Sequence, residues 1–230
     1  MDFLPKGRLD AFADGVFAIV ITLLVLDLAI PDATENLMPA LIEQWPVFLA
    51  YIVSFAFVGS VWISHSSITS LMKQETPHSY RLTLLMLFFV SLLPFTTKLM
   101  AFYLSNPPVL PVTIGPDLFS WLLAVNALAR AGLSTPVTIY GLDLLAASVT
   151  LYAIMGSAIM TPDVLLNESS RDELNALQRR QKYGIFVIIV TLICGFILPV
   201  IAVVGYIFTS IVFFITPTIP IARQRLRKKG

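Results

Sequence analysis

Charged residues punctuate the chain at intervals that leave long apolar stretches between them. Crossing a bilayer core of about 30 Å takes roughly 20 apolar residues in a helix. By that measure the pattern predicts transmembrane helices over 9–30, 46–72, 80–104, 136–160, 183–200 and 203–222. Gln44 to Met72 is uncharged throughout, whereas the first span contains Asp14 and Asp27 and the fourth Asp143. The 40 residues from Tyr183 to Ala222 carry no charge. As one helix they would be about 60 Å long, twice the bilayer, so a fold-back between Pro199 and Gly205 is expected. Leu118 to Ala129 is apolar but short and is closed by Arg130, which predicts an interfacial helix over 118–130 rather than a span. Ser169 to Lys182 reads as a polar helix leading into the fifth span.

Basic residues orient the array, because cytoplasmic loops carry an excess of Lys and Arg. With six spans and both termini cytoplasmic, 13 of the 15 Lys and Arg fall inside, leaving Lys98 and Arg130 outside. A seventh span at 118–129 would carry the basic stretch Arg223 to Lys229 to the outer side, against this rule.

Composition agrees. At 57% hydrophobic, 13% charged and a mean hydropathy of +0.84, the chain carries about half the charge of an ordinary soluble domain. The expectation is an all-α integral membrane protein forming one unit over 1–230. One cysteine, Cys194, excludes a disulfide scaffold, two histidines leave little for a zinc centre, and a net charge of +1 argues against nucleic-acid binding. His65 is followed by Ser66 and Ser67, but neighbours on a helix point about 100° apart, so a hydrolytic dyad is not expected. No enzyme activity, cofactor or resident metal is implied.

An ionisable side chain within an apolar span is costly unless it finds a partner, which makes Asp14 a functional candidate. At 100° per residue, Arg8, Phe12, Gly15, Ile19, Thr22, Leu23, Leu26 and Ile30 cluster around the direction of Ile19, while Asp14 points roughly 140° away. Periodicity alone leaves two readings open: an aliphatic face against lipid or another helix, with Asp14 tied to a polar neighbour, or a functional stripe. Asp14, Asp143 and His65 also allow a proton channel or proton-coupled transporter. Thr138-Ile139-Tyr140-Gly141 faintly suggests a carbonyl filter, but β-branched Ile139 stands where left-handed backbone freedom is needed.

Arg8 to Ile19, continued by Thr22-Leu23-Leu24-Val25-Leu26, closely resembles the first-helix signature of the transmembrane protein 175 family of potassium channels, an Arg, three residues, then Phe-Ser-Asp. The resemblance extends through Ser54-Phe55, Gly59 and Trp62-Ile63-Ser64-His65, and through Ser91 to Thr97. It implies a homotetramer in a prokaryotic plasma membrane, with first helices around a central pore and potassium as the permeant ion. Ile19, Thr22, Leu23 and Leu26 match the pore positions. Arg8, Phe12 and Asp14 match a motif that braces the first helix, for which Trp62 and His65 are the expected partners, leaving Asp14 packed within the protein. Asp27, near the outer mouth, is placed either to concentrate cations or to snorkel as an interfacial acid. Three departures stand out: Ala13 replaces the motif serine, Ser66 stands where relatives often carry a second His, and Thr83 replaces a common Asn.

Overall fold

The computed structural model describes residues 6–26, 28, 36–105, 120, 134–197 and 199–215. Its elements are α1 (Lys6–Val25), α2 (Leu37–Glu43), α3 (Trp45–Ser70), α4 (Pro77–Ser105), α5 (Ser134–Met160), a 3-10 turn (Pro162–Val164), α6 (Glu168–Ile197) and α7 (Pro199–Ile215). Three of them, α3, α4 and α5, are long and apolar enough by length and composition to cross a membrane.

Local chemistry explains the boundaries. Thr76 caps α4, its Oγ1 accepting from Ser79 N at 3.0 Å, and Pro77 follows where its missing N–H costs nothing. Asn167 does the same for α6, accepting from Ser170 N at 2.8 Å. The polar segment 169–182 and the apolar residues after it form one helix, α6, rather than two elements. Helix α6 ends at Ile197, and α7 runs from Pro199 to Ile215, helical through the stretch between Pro199 and Gly205 where the fold-back was expected. Helix α1 ends at Val25, short of residue 30, with turn bonds from Leu26 N to Leu23 O and from Leu28 N to Val25 O. The expected interfacial helix 118–130, apart from Ser120, and the residues after Ile215 lie outside the described residues.

Helices α3 to α7 pack as a closed ring: α3 against α4, α4 against α5, α5 against α6, α6 against α7, and α7 back against α3. Helix α1 lies outside this ring, chiefly against α3 and α4. Its buried residues, Leu9, Ala13, Phe17, Val20 and Leu24, recur at intervals of three and four and so form one stripe.

Lipid is as apolar as leucine, so close packing and interhelical hydrogen bonds hold such a ring together more than hydrophobic burial does. Ser54 Oγ lies 2.7 Å from Thr97 Oγ1 and 2.9 Å from Tyr140 Oη, joining α3, α4 and α5. Thr96 Oγ1 donates to Asp143 Oδ2 at 2.9 Å, satisfying one oxygen of the buried acid. Helices α5 and α7 approach closely because Gly141 has no side chain: a Cβ there would run into the buried Tyr206 hydroxyl and lie 2.9 Å from a Leu192 methyl.

Gly141→Ala is therefore expected to destabilise the ring by about 1–3 kcal/mol, the usual cost of overpacking. A thermal-unfolding midpoint in detergent that matches the unaltered protein would show that α7 yields freely.

Candidate functional site

The residues of α1 that are not needed for packing define the candidate site. Opposite the buried stripe, Ile19 is 60% exposed, Leu26 73%, Leu23 43% and Phe12 56%, and Thr22 is exposed between them. Gly15 opens onto empty space on the same side. One side of the helix is thus packed by the chain's own fold and the other carries a row of large apolar side chains that the described residues leave uncovered. The Thr22 hydroxyl donates to its own helix at Ile19 O, 2.8 Å away. With its proton committed to the backbone, the hydroxyl presents lone pairs outward, which suits a cation rather than an anion.

Asp14 lies on the flank of that row. Trp62 Nε1 of α3 donates to Asp14 Oδ1 at 2.9 Å, linking α1 to its neighbour. Trp62 is one of the two expected partners, and in the single chain both it and Asp14 are exposed. The reason is angular. The buried stripe turns toward α3 and α4, and Asp14 projects past its edge, where only the long indole of Trp62 reaches it. His65 is buried one turn further along α3, beside Phe17 at 6.3 Å between ring centroids, and its Nε2 has no hydrogen-bond partner among the described residues. It is not hydrogen-bonded to Asp14. Arg8 is exposed at the start of α1, Phe12 lies on the Ile19 side rather than against the bundle, and Asp27 lies outside the described residues.

A second cluster, at the foot of α1, has no counterpart in the sequence reading. Lys6 Nζ donates to Met72 O at 2.8 Å and to Thr69 O, so a cation closes the C-terminal end of α3. Glu75, in the turn between α3 and α4, is only 1% exposed. Its Oε2 accepts from Ser79 Oγ, whereas Oε1 and the nearby Asp10 Oδ1 have no hydrogen-bond partner among the described residues. Burial pushes the Glu75 carboxyl above the ordinary carboxylate range; the Ser79 hydrogen bond opposes this, the Asp10 charge adds to it, and Lys6 opposes it. An acid in a charged turn reads as solvated from sequence, and nothing in the spacing of Lys73, Glu75 and Thr76 signals that the turn folds inward.

Two outcomes are expected. A double-mutant cycle on Asp14→Asn and Trp62→Phe gives a coupling of about 0.6–1.7 kcal/mol, the range for interhelical hydrogen bonds in membranes; zero coupling would mean that the bond does not hold α1. The stability contribution of Glu75 is complete below about pH 4.5, where the carboxyl is protonated folded or unfolded, and is lost as pH rises through the elevated folded value. Glu75→Gln should therefore raise the unfolding midpoint at neutral pH and flatten its pH dependence, and an unchanged profile would place the charge elsewhere.

The chain matches known proteins along most of its length. The family model described as endosomal/lysosomal potassium channel TMEM175 matches residues 8–94. A potassium channel of Chamaesiphon minutus is 30% identical over 212 residues, covering 90% of this chain and 92% of that protein. A TMEM175 protein of Bos taurus, named an endosomal/lysosomal proton channel, is 40% identical over 114 residues, 45% of this chain but 24% of its own length. Among solved structures, a crystal structure titled as a lysosomal potassium-selective channel TMEM175 homolog from Chamaesiphon minutus superposes with a TM-score of 0.72 at 27% identity, covering 90% of this chain and 95% of that one.

Proposed function

We infer that this chain, which belongs to the TMEM175 family, is a passive cation channel that conducts potassium through a constriction formed by several copies of α1. The observation that carries this reading is the uncovered row of Ile19, Thr22, Leu23 and Leu26 opposite a buried stripe. One helix cannot enclose a pore, and a row left open by its own chain is suited to meeting its symmetry mates around an axis. The proposed assembly is a homotetramer in a prokaryotic plasma membrane, with six spans per chain and both termini cytoplasmic. The potassium-channel names of the Chamaesiphon minutus protein and its structural counterpart support potassium as the permeant ion.

An aliphatic ring gates by wetting and drying, and it cannot strip an ion completely, since the Born cost of full dehydration is tens of kcal/mol. The workable path is partial dehydration at Ile19. Potassium holds its water less tightly than sodium, so the barrier favours it. One turn on, the outward lone pairs of Thr22 replace some of the water lost. Such a ring discriminates less sharply than a carbonyl filter, and selectivity is modest. Leu23 and Leu26 continue the dry lining, and Asp27, next in sequence, is read as lying at the outer mouth. Arg8, Phe12, Asp14, Trp62 and His65 are read as holding α1 in register rather than touching ions.

Proton permeation is the second reading, favoured by the proton-channel name of the Bos taurus relative and by two intramembrane titratable residues, Asp14 and His65, within the family match.

In liposomes, Ile19→Asn is expected to raise cation flux and lower the potassium-to-sodium permeability ratio toward unity. Thr22→Val should lower potassium flux without admitting more sodium. If both variants keep the ratio of the unaltered protein, the constriction lies elsewhere. Flux driven by a pH gradient that vanishes in Asp14→Asn would favour the proton reading.

A further inference from the structure

At the end of the bundle where the first turn of α4 meets the last turns of α5, with the polar half of α6 alongside, the structure opens a cavity of about 730 Å³. We propose that this cavity binds the phosphate headgroup of an anionic phospholipid drawn from the adjacent leaflet. The inference depends on α4 and α5 crossing the bilayer and is independent of what passes along α1.

The chemistry of the walls points to an anion. His78 and Arg81 come from α4, Tyr152 and Ser157 from α5, and Gln178 from α6, so three helices supply N–H or O–H donors, and among the described residues no aspartate or glutamate lines the cavity. Arg81 is held in place by its own helix, its Nε donating to Pro77 O at 3.1 Å. That bond uses one of five guanidinium donors and leaves the terminal amino groups for a ligand, with no carboxylate partner among the described residues.

Position and shape then select a lipid over a soluble anion. The cavity lies at the ends of two helices long enough to span, which is headgroup depth. Its rim includes Met160, 85% exposed, an apolar edge suited to a glycerol backbone and the start of an acyl chain rather than to a hydrated ion. The volume falls within the range of small-molecule sites, several times that of a bare phosphate. The chain's own basic stretch Arg223 to Lys229 has the wrong sign to occupy a cationic cavity.

Native mass spectrometry of the purified full-length protein tests the assignment, with phosphatidylglycerol and phosphatidylcholine as probes and inorganic phosphate as competitor. The unaltered protein should retain phosphatidylglycerol about tenfold more tightly than phosphatidylcholine. The double variant Arg81→Gln, His78→Gln should lose that preference, Arg81→Lys should keep part of it, and Arg171→Gln on the exposed side of α6 should leave it intact. Equal retention of the two lipids by the unaltered protein would overturn the proposal, as would full retention of phosphatidylglycerol by a monodisperse double variant. Displacement by inorganic phosphate at matched concentration would also overturn it, because the site would then be one for a free anion.

Discussion

Helix α1 is held by one side only. Leu9, Ala13, Phe17, Val20 and Leu24 fix it against α3 and α4, joined by the Lys6 bonds at its foot and the Asp14–Trp62 bond at its edge, and the side that carries Ile19 is left uncovered by the described residues. The ring of α3 to α7 closes without it. A helix added to a completed ring is free to serve a surface outside that ring, and this asymmetry gives the exposed aliphatic row its meaning in a multi-pass membrane protein.

Spans and sites were legible in the sequence to different degrees. Uncharged stretches marked α3, α4 and α5 to within a few residues, because excluding charge from hydrocarbon is a strong constraint that acts residue by residue. Helical geometry also placed Ile19, Thr22, Leu23 and Leu26 on one side of α1, since a fixed 100° step needs no knowledge of neighbours. Partners were legible only in part. Trp62 and His65 were both expected to meet Asp14; the indole reaches it, whereas His65 lies buried beside Phe17. Glu75 drew no notice in the sequence and is almost wholly buried, in the turn that lies at the foot of α1. Pattern reveals which residues share a side, and packing alone decides what stands opposite.

The two polar clusters do different work. In the ring, Ser54, Thr97 and Tyr140 satisfy one another, while Thr96 answers one oxygen of Asp143 and its Oδ1 has no partner among the described residues. At the foot of α1 the account is less balanced: Lys6 serves two carbonyls while Asp10 and Glu75 each keep an unanswered oxygen. Buried acids with an unanswered oxygen, at both places, respond to protonation in a way that the three hydroxyls of Ser54, Thr97 and Tyr140 do not.

The segment gripped by Lys6 is itself tied down. Met72 forms an antiparallel bridge with Leu165, Lys73 N bonds Val164 O at 2.8 Å, and Leu166 N bonds Leu71 O at 3.1 Å. Two inter-helical turns are thus stitched into a single ledge, with the base of α1 clamped on one side and the start of α6 springing from the other. The base of α1 and the start of α6 thus share one footing, made of main-chain hydrogen bonds rather than of side-chain packing.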